Sequence, residues 1–89
     1  MLADQLDYIV GVDPHRDSHA LAVVHVISGA IVFEATVAAN DEGYAQALEL
    51  VDAHAAARRA FAVEGTGSFG AGLTRFLSGR GPQRWRLID

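Results

Sequence analysis

The chain has 89 residues and a mass of 9.5 kDa, so it holds one domain at most. Hydrophobic residues make up 51% and charged residues 20%, which excludes a disordered tail or a low-complexity chain. There is no cysteine, so disulfides and thiolate metal sites are excluded. The net charge of −4 conceals a division. Residues 1–57 carry nine acids against Arg16 alone, whereas residues 58–89 carry six arginines and two acids. No apolar run approaches the ~20 residues a membrane span needs. Met1-Leu2-Ala3-Asp4 carries an acid where a signal peptide carries bases, so a cytoplasmic chain is expected.

Tyr8-Ile9-Val10-Gly11-Val12-Asp13 is a short apolar, partly β-branched run ending at a carboxylate, with Pro14 blocking its extension. It predicts a first strand, buried on both faces. Pro14 to Ser18 reads as a polar turn. Ala20 to Ile27 predicts a second strand, and Ser28-Gly29 a two-residue hairpin turn. In the third strand, Ile31 to Val37, residues Ile31, Phe33, Ala35 and Val37 share one face and Val32, Glu34 and Thr36 the other.

The period then changes from 2 to 3.6. Asn40 is a helix cap, and Asp41 and Glu42 follow where the helix dipole favours acids. A helix over about 41–56 would bury Tyr44, Ala47, Leu48, Val51 and Ala55 and turn Glu42, Gln46, Glu49 and Asp52 outward. Ala60 to Glu64 predicts a fourth strand, again ending at a carboxylate. After Gly65-Thr66-Gly67-Ser68, a second helix carries Leu73, Phe76 and Leu77. Arg84 to Ile88 opens a fifth strand. The order β-β-β-α-β-α-β predicts an α/β fold, a mixed sheet with helices packed on it.

Asp13 and Glu64 are the candidate catalytic and metal-binding residues. Each ends a hydrophobic strand, and strand carboxyl ends line the ligand crevice of an open sheet. If strands one and four are neighbours, the two carboxylates converge and need a cation between them. Mg²⁺ or Mn²⁺ is the expected occupant. Turn formation is the competing role for Asp13; Glu is a poorer turn residue. Asp13-x-His15-x3-His19 has a spacing that zinc could use, but His25 falls in a strand, His54 on a helix, and no cysteine completes a set. His15 and His19 are expected to be solvated turn residues. Gly65-x-Gly67-x2-Gly70 matches the letters of a dinucleotide fingerprint, but that motif alone is a weak signal, and a hinge beside Glu64 accounts for the glycines as well.

The run Ile9-Val10-Gly11-Val12-Asp13-Pro14-His15-Arg16-Asp17-Ser18-His19, then Val63-Glu64-Gly65-Thr66-Gly67-Ser68-Phe69, then Leu73, Leu77 and Gly81, resembles the N-terminal domain of the DEDD transposases of bacterial insertion sequences. These are RuvC-like recombinases that work with a structured guide RNA. The resemblance runs from about Tyr8 to the end. It implies an RNase H-like (RuvC-like) fold, a role in DNA transposition and recombination, and Asp13 and Glu64 as the first two acids of the tetrad, binding Mg²⁺. The last two aspartates of the pattern, and the second domain with its nucleophilic serine, would lie past residue 89. Residues 1–89 are therefore expected to be the N-terminal part of such a domain, incomplete at the C-terminus, with half a metal site and no cleavage activity alone. Arg58, Arg59, Arg80, Arg84 and Arg86 are the candidate nucleic-acid contacts.

Two other readings compete. Sugar-kinase or actin-like ATPases also open with Gly-x-Asp and a hairpin, but their phosphate loop wants small residues where Pro14-His15-Arg16 is bulky. A non-enzymatic module could instead self-associate through the open edge of strand five.

Overall fold

A computed structural model describes residues 6–55, 57–63, 68–79 and 87–88. Strands β1 (Tyr8–Pro14), β2 (Ser18–His25) and β3 (Ile31–Ala38) precede helix α1 (Asp41–His54). Strand β4 (Arg59–Val63), a 3-10 turn (Ser68–Gly70), helix α2 (Ala71–Ser78) and β5 (Leu87–Ile88) follow. The five strands form one mixed sheet in the order β3-β2-β1-β4-β5. β1–β2 and β2–β3 are antiparallel, and β1–β4 and β4–β5 are parallel. Among the described residues the chain is thus a mixed α/β structure with two α-helices, and the expected element order is the observed one.

Alternation decides which residues enter the core. Val10 and Val12 of β1, Leu21 and Val23 of β2, Val37 of β3 and Phe61 of β4 are all buried. Tyr44, Ala47 and Val51 of α1 and Leu73 and Leu77 of α2 close over them. Both helices therefore cover the same face, and the Tyr44 and Phe76 rings meet between them at 5.8 Å. On the other face of β1, Ile9 and Gly11 are only half-buried. The expectation that β1 is buried on both faces is corrected here, because both crossover helices pack on one side.

Helix α1 starts as its sequence demands. Asn40 is extended at φ −151°, and its Oδ1 accepts the Gly43 amide at 2.8 Å. Its outward residues Glu42, Gln46, Glu49 and Asp52 are exposed. The β2–β3 connection differs from expectation. It spans five residues rather than two, with the His25 amide donating to the Ala30 carbonyl and the Gly29 amide to the His25 carbonyl. Gly29 takes φ +72°, which glycine adopts without strain. Ile27 consequently stands in the loop, 74% exposed, instead of ending β2.

Candidate metal centre

Asp13 stands near the carboxyl end of β1, paired with Ala20 of β2. Alternation turns it away from Val10 and Val12, to the face without helices. Its side chain is 61% exposed, and its Oδ2 lies 3.3 Å from His15 Nε2. The His15 amide donates to the Ser18 carbonyl at 2.9 Å, which closes the β1–β2 turn. The Ala39 amide donates to the Asp17 carbonyl at 3.1 Å and ties that turn to the end of β3. Arg16 and Asp17 are exposed on the same turn.

β4 ends beside β1. Val12 pairs with Val63, and these two residues immediately precede Asp13 and Glu64 in the chain. Glu64 and residues 65–67 lie outside the described residues. Gly70, where α2 begins, sits tight against both strands. A Cβ there would stand 2.9 Å from Val63 Cγ1 and 3.5 Å from Pro14 Cγ. Only glycine lets the start of α2 approach this closely, so α2 is anchored at the sheet edge that carries Asp13.

Two of the candidate arginines, Arg58 and Arg59, lie away from that edge. Arg58 is engaged by Asp7: its Nε donates to Oδ2 and its Nη2 to Oδ1, both at 3.3 Å, and its amide donates to Oδ2 at 3.2 Å. The Asp7 amide returns a bond to the Arg58 carbonyl at 2.7 Å. This clasp lies at the start of β1, the opposite end from Asp13. It holds the Asp7 carboxyl below its ordinary range, chiefly through the Arg58 side-chain hydrogen bond. Arg59 is 5% exposed; its guanidinium donates to the Ala55 carbonyl at 3.0 Å and to the Asp52 carboxylate. Burial and this ion pair commit Arg59 to the join between α1 and β4, so it is not presented to a nucleic acid. Arg80, Arg84 and Arg86 lie outside the described residues.

The histidines also part ways. His15 is exposed, as expected. His19 is not a solvated turn residue; it is fully buried, with Nδ1 at 2.9 Å from the Ser18 carbonyl and Nε2 without a hydrogen-bond partner. Its ring stacks on Tyr44 at 5.7 Å. The reason was legible in the alternation, since residues 19, 21 and 23 share the core face of β2. The Asp13-x-His15-x3-His19 set therefore does not converge. Among the described residues no three ligating side chains come together.

No protein-family model matches the chain, and no curated protein matches it. Among the described residues no helix is long and apolar enough to cross a membrane.

Proposed function

We propose that the chain is the N-terminal part of an RNase H-like domain of a DNA transposase, with Asp13 and Glu64 contributing to a divalent-cation site. The observation that carries this reading is the parallel β1–β4 pairing, in which Val12 faces Val63. Asp13 and Glu64 each follow this pair by one residue in the sequence, and in this reading they share the sheet edge where open sheets bind ligands. The β-β-β-α-β-α-β element order, with which an RNase H-like fold is consistent, supports the reading further.

The donor chemistry fits a hard divalent ion. Asp13 offers an exposed carboxylate at a strand end, with no buried partner that a cation must displace. In this reading Asp13 and Glu64 hold the ion and orient it against a DNA phosphate. When bound, Mg²⁺ would supply charge stabilisation and an activated water at a phosphodiester. Arg80, Arg84 and Arg86 carry the nucleic-acid contacts in the proposal; Arg58 and Arg59 hold the fold. With two acids of four, the 89-residue chain binds the ion weakly and leaves DNA uncut.

The test is a Mn²⁺ titration of the ¹⁵N-labelled chain. Selective broadening of the Asp13 and Glu64 amides together, abolished by Asp13→Asn, is the expected result. Uniform or absent broadening at millimolar Mn²⁺ would overturn the reading.

A further inference from the structure

We propose that β3 is an association surface, whose outer edge pairs antiparallel with the same strand of a second copy of the chain, Ala35 facing Ala35 across a two-fold axis. The inference is independent of the cation site, since no residue of that site takes part in it.

β3 ends the sheet, so its backbone groups that do not face β2 meet no further strand among the described residues. Edge strands are ordinarily protected by lysine, proline, an inward charge or a bulge. Ile31 to Ala38 contains no proline, no base and one acid, Glu34. Only the bulge is present. The ladder with β2 passes from Val23–Phe33 to Val24–Ile31 and skips Val32, which ends the regular edge at Phe33. From Phe33 to Ala38 each residue stands opposite one residue of β2, which leaves a flat template. At the other edge β5 offers only Leu87–Ile88 among the described residues. β3 therefore matches another β3 better than it matches β5, and the pairing closes as a two-fold dimer instead of growing into a chain.

The order of side chains selects a second copy as the occupant. Phe33-Glu34-Ala35-Thr36-Val37 reads apolar, polar, small, polar, apolar in both directions. A two-fold antiparallel pair centred on Ala35 sets Phe33 against Val37 of the second copy and Glu34 against its Thr36. Phe33 and Val37 belong to the helix-covered face, so their contacts extend the apolar side of the sheet. Glu34 and Thr36 are exposed, and a carboxylate there meets a hydroxyl. Centring the pair on Glu34 would set two carboxylates face to face, which destabilises. Charge thus fixes the register. Five residues from each copy make a small interface, at the weak and reversible end of protein association.

The experiment is sedimentation velocity of the 89-residue chain at concentrations up to about 1 mM, where a dimer held by only about 4 kcal/mol is half formed. Reversible dimerisation is expected. Thr36→Glu sets an acid against Glu34 in both halves and should weaken the dimer about fivefold; Thr36→Lys sets a base there and should tighten it by about the same factor. Thr36 is exposed opposite Ala20, so both variants should keep the parent circular dichroism spectrum. The same two changes at Ser78, exposed on α2, should move the dimer far less, which separates a local contact from net charge. The chain has no cysteine, so Ala35→Cys introduces a single thiol. Facing Cα atoms in an antiparallel pair stand about 4.5–5.5 Å apart, within disulfide reach, so mild oxidation should yield a covalent dimer. Glu34→Cys and Thr36→Cys lie two residues out of register with their own copies, beyond the ~7 Å limit, and should cross-link far more slowly. A chain that stays monomeric to about 1 mM overturns the proposal. So does a dimer that responds alike to Glu and Lys at position 36, or one that cross-links faster through position 34 or 36 than through 35.

Discussion

Val12 and Val63 lie side by side on the parallel strands β1 and β4, each one residue ahead of an acid. Asp13 thus belongs to the edge of the sheet where β1 and β4 finish, and α2 is pinned there through Gly70. Asp13 faces solvent and supports no core contact. Asp13→Asn should therefore shift stability by no more than about 0.5 kcal/mol, the usual range for a surface change. The same variant should lose the Mn²⁺-induced broadening. Thermal unfolding and the titration, run on one sample, check both halves.

Arg59 is buried and depends on Asp52, seven residues earlier on α1. Asp52→Ala would leave the guanidinium with the Ala55 carbonyl and no counter-charge. Removing one partner of a fully buried pair costs about 3–5 kcal/mol. Asp52 is 44% exposed, so water replaces part of it and the cost should be nearer 2 kcal/mol. Urea denaturation would measure this. An unchanged midpoint would show that the pair contributes nothing net.

Two glycines predict opposite responses to alanine. At Gly43, in the first turn of α1, a Cβ would stand 2.6 Å from the Ala38 carbonyl carbon and 2.8 Å from its amide nitrogen. Backbone cannot yield as a side chain can, so Gly43→Ala should cost about 3 kcal/mol or leave the chain unfolded. At Gly11 a Cβ would meet only the Ala22 carbonyl oxygen, at 3.8 Å. Gly11→Ala should fold, with stability within about 1 kcal/mol of the parent. Circular dichroism melts of the two variants make the comparison.

The Asp7–Arg58 clasp makes stability depend on acid. The Asp7 carboxyl is held below its ordinary value of 3.8, first by the Arg58 side-chain hydrogen bond. A depressed folded-state pKa favours the ionised form in the folded chain, so the contribution is present above pH 3.8. It is lost as pH falls through the lower folded value. Asp7→Asn should therefore lower stability at neutral pH and flatten its decline below pH 3.8. Denaturant midpoints across pH 2–7 would show parallel curves if the clasp is inert.

If Arg80, Arg84 and Arg86 contact DNA phosphates, replacing all three with Gln should reduce the slope of log K against log salt by about 2.7, roughly 0.9 per contact. Fluorescence anisotropy on a labelled duplex between low and moderate salt measures it. Arg58→Gln should leave the slope unchanged, because that side chain is engaged by Asp7.

The local rules in this chain were readable without coordinates. Period-2 patterning located the strands, Asn40 marked the start of α1, and Tyr44, Ala47, Val51 and Ala55 marked its buried side. These signals depend on neighbours a few residues away, so the sequence carries them directly. The hairpin loop is longer than its sequence suggests because the Ser28-Gly29 signal specifies a glycine at positive φ but not the loop length around it. The place of each charged side chain was decided elsewhere. Arg58 meets Asp7 across 51 residues of chain, and Arg59 meets Asp52 only because β4 runs back beneath α1. His19 is buried because Tyr44 on α1 covers it. That Asp13 and Glu64 each end an apolar run is written in the local order of residues. That β1 and β4 are parallel neighbours emerges from the packed fold, since pairing between distant strands depends on how two crossover helices pack on one face of the sheet.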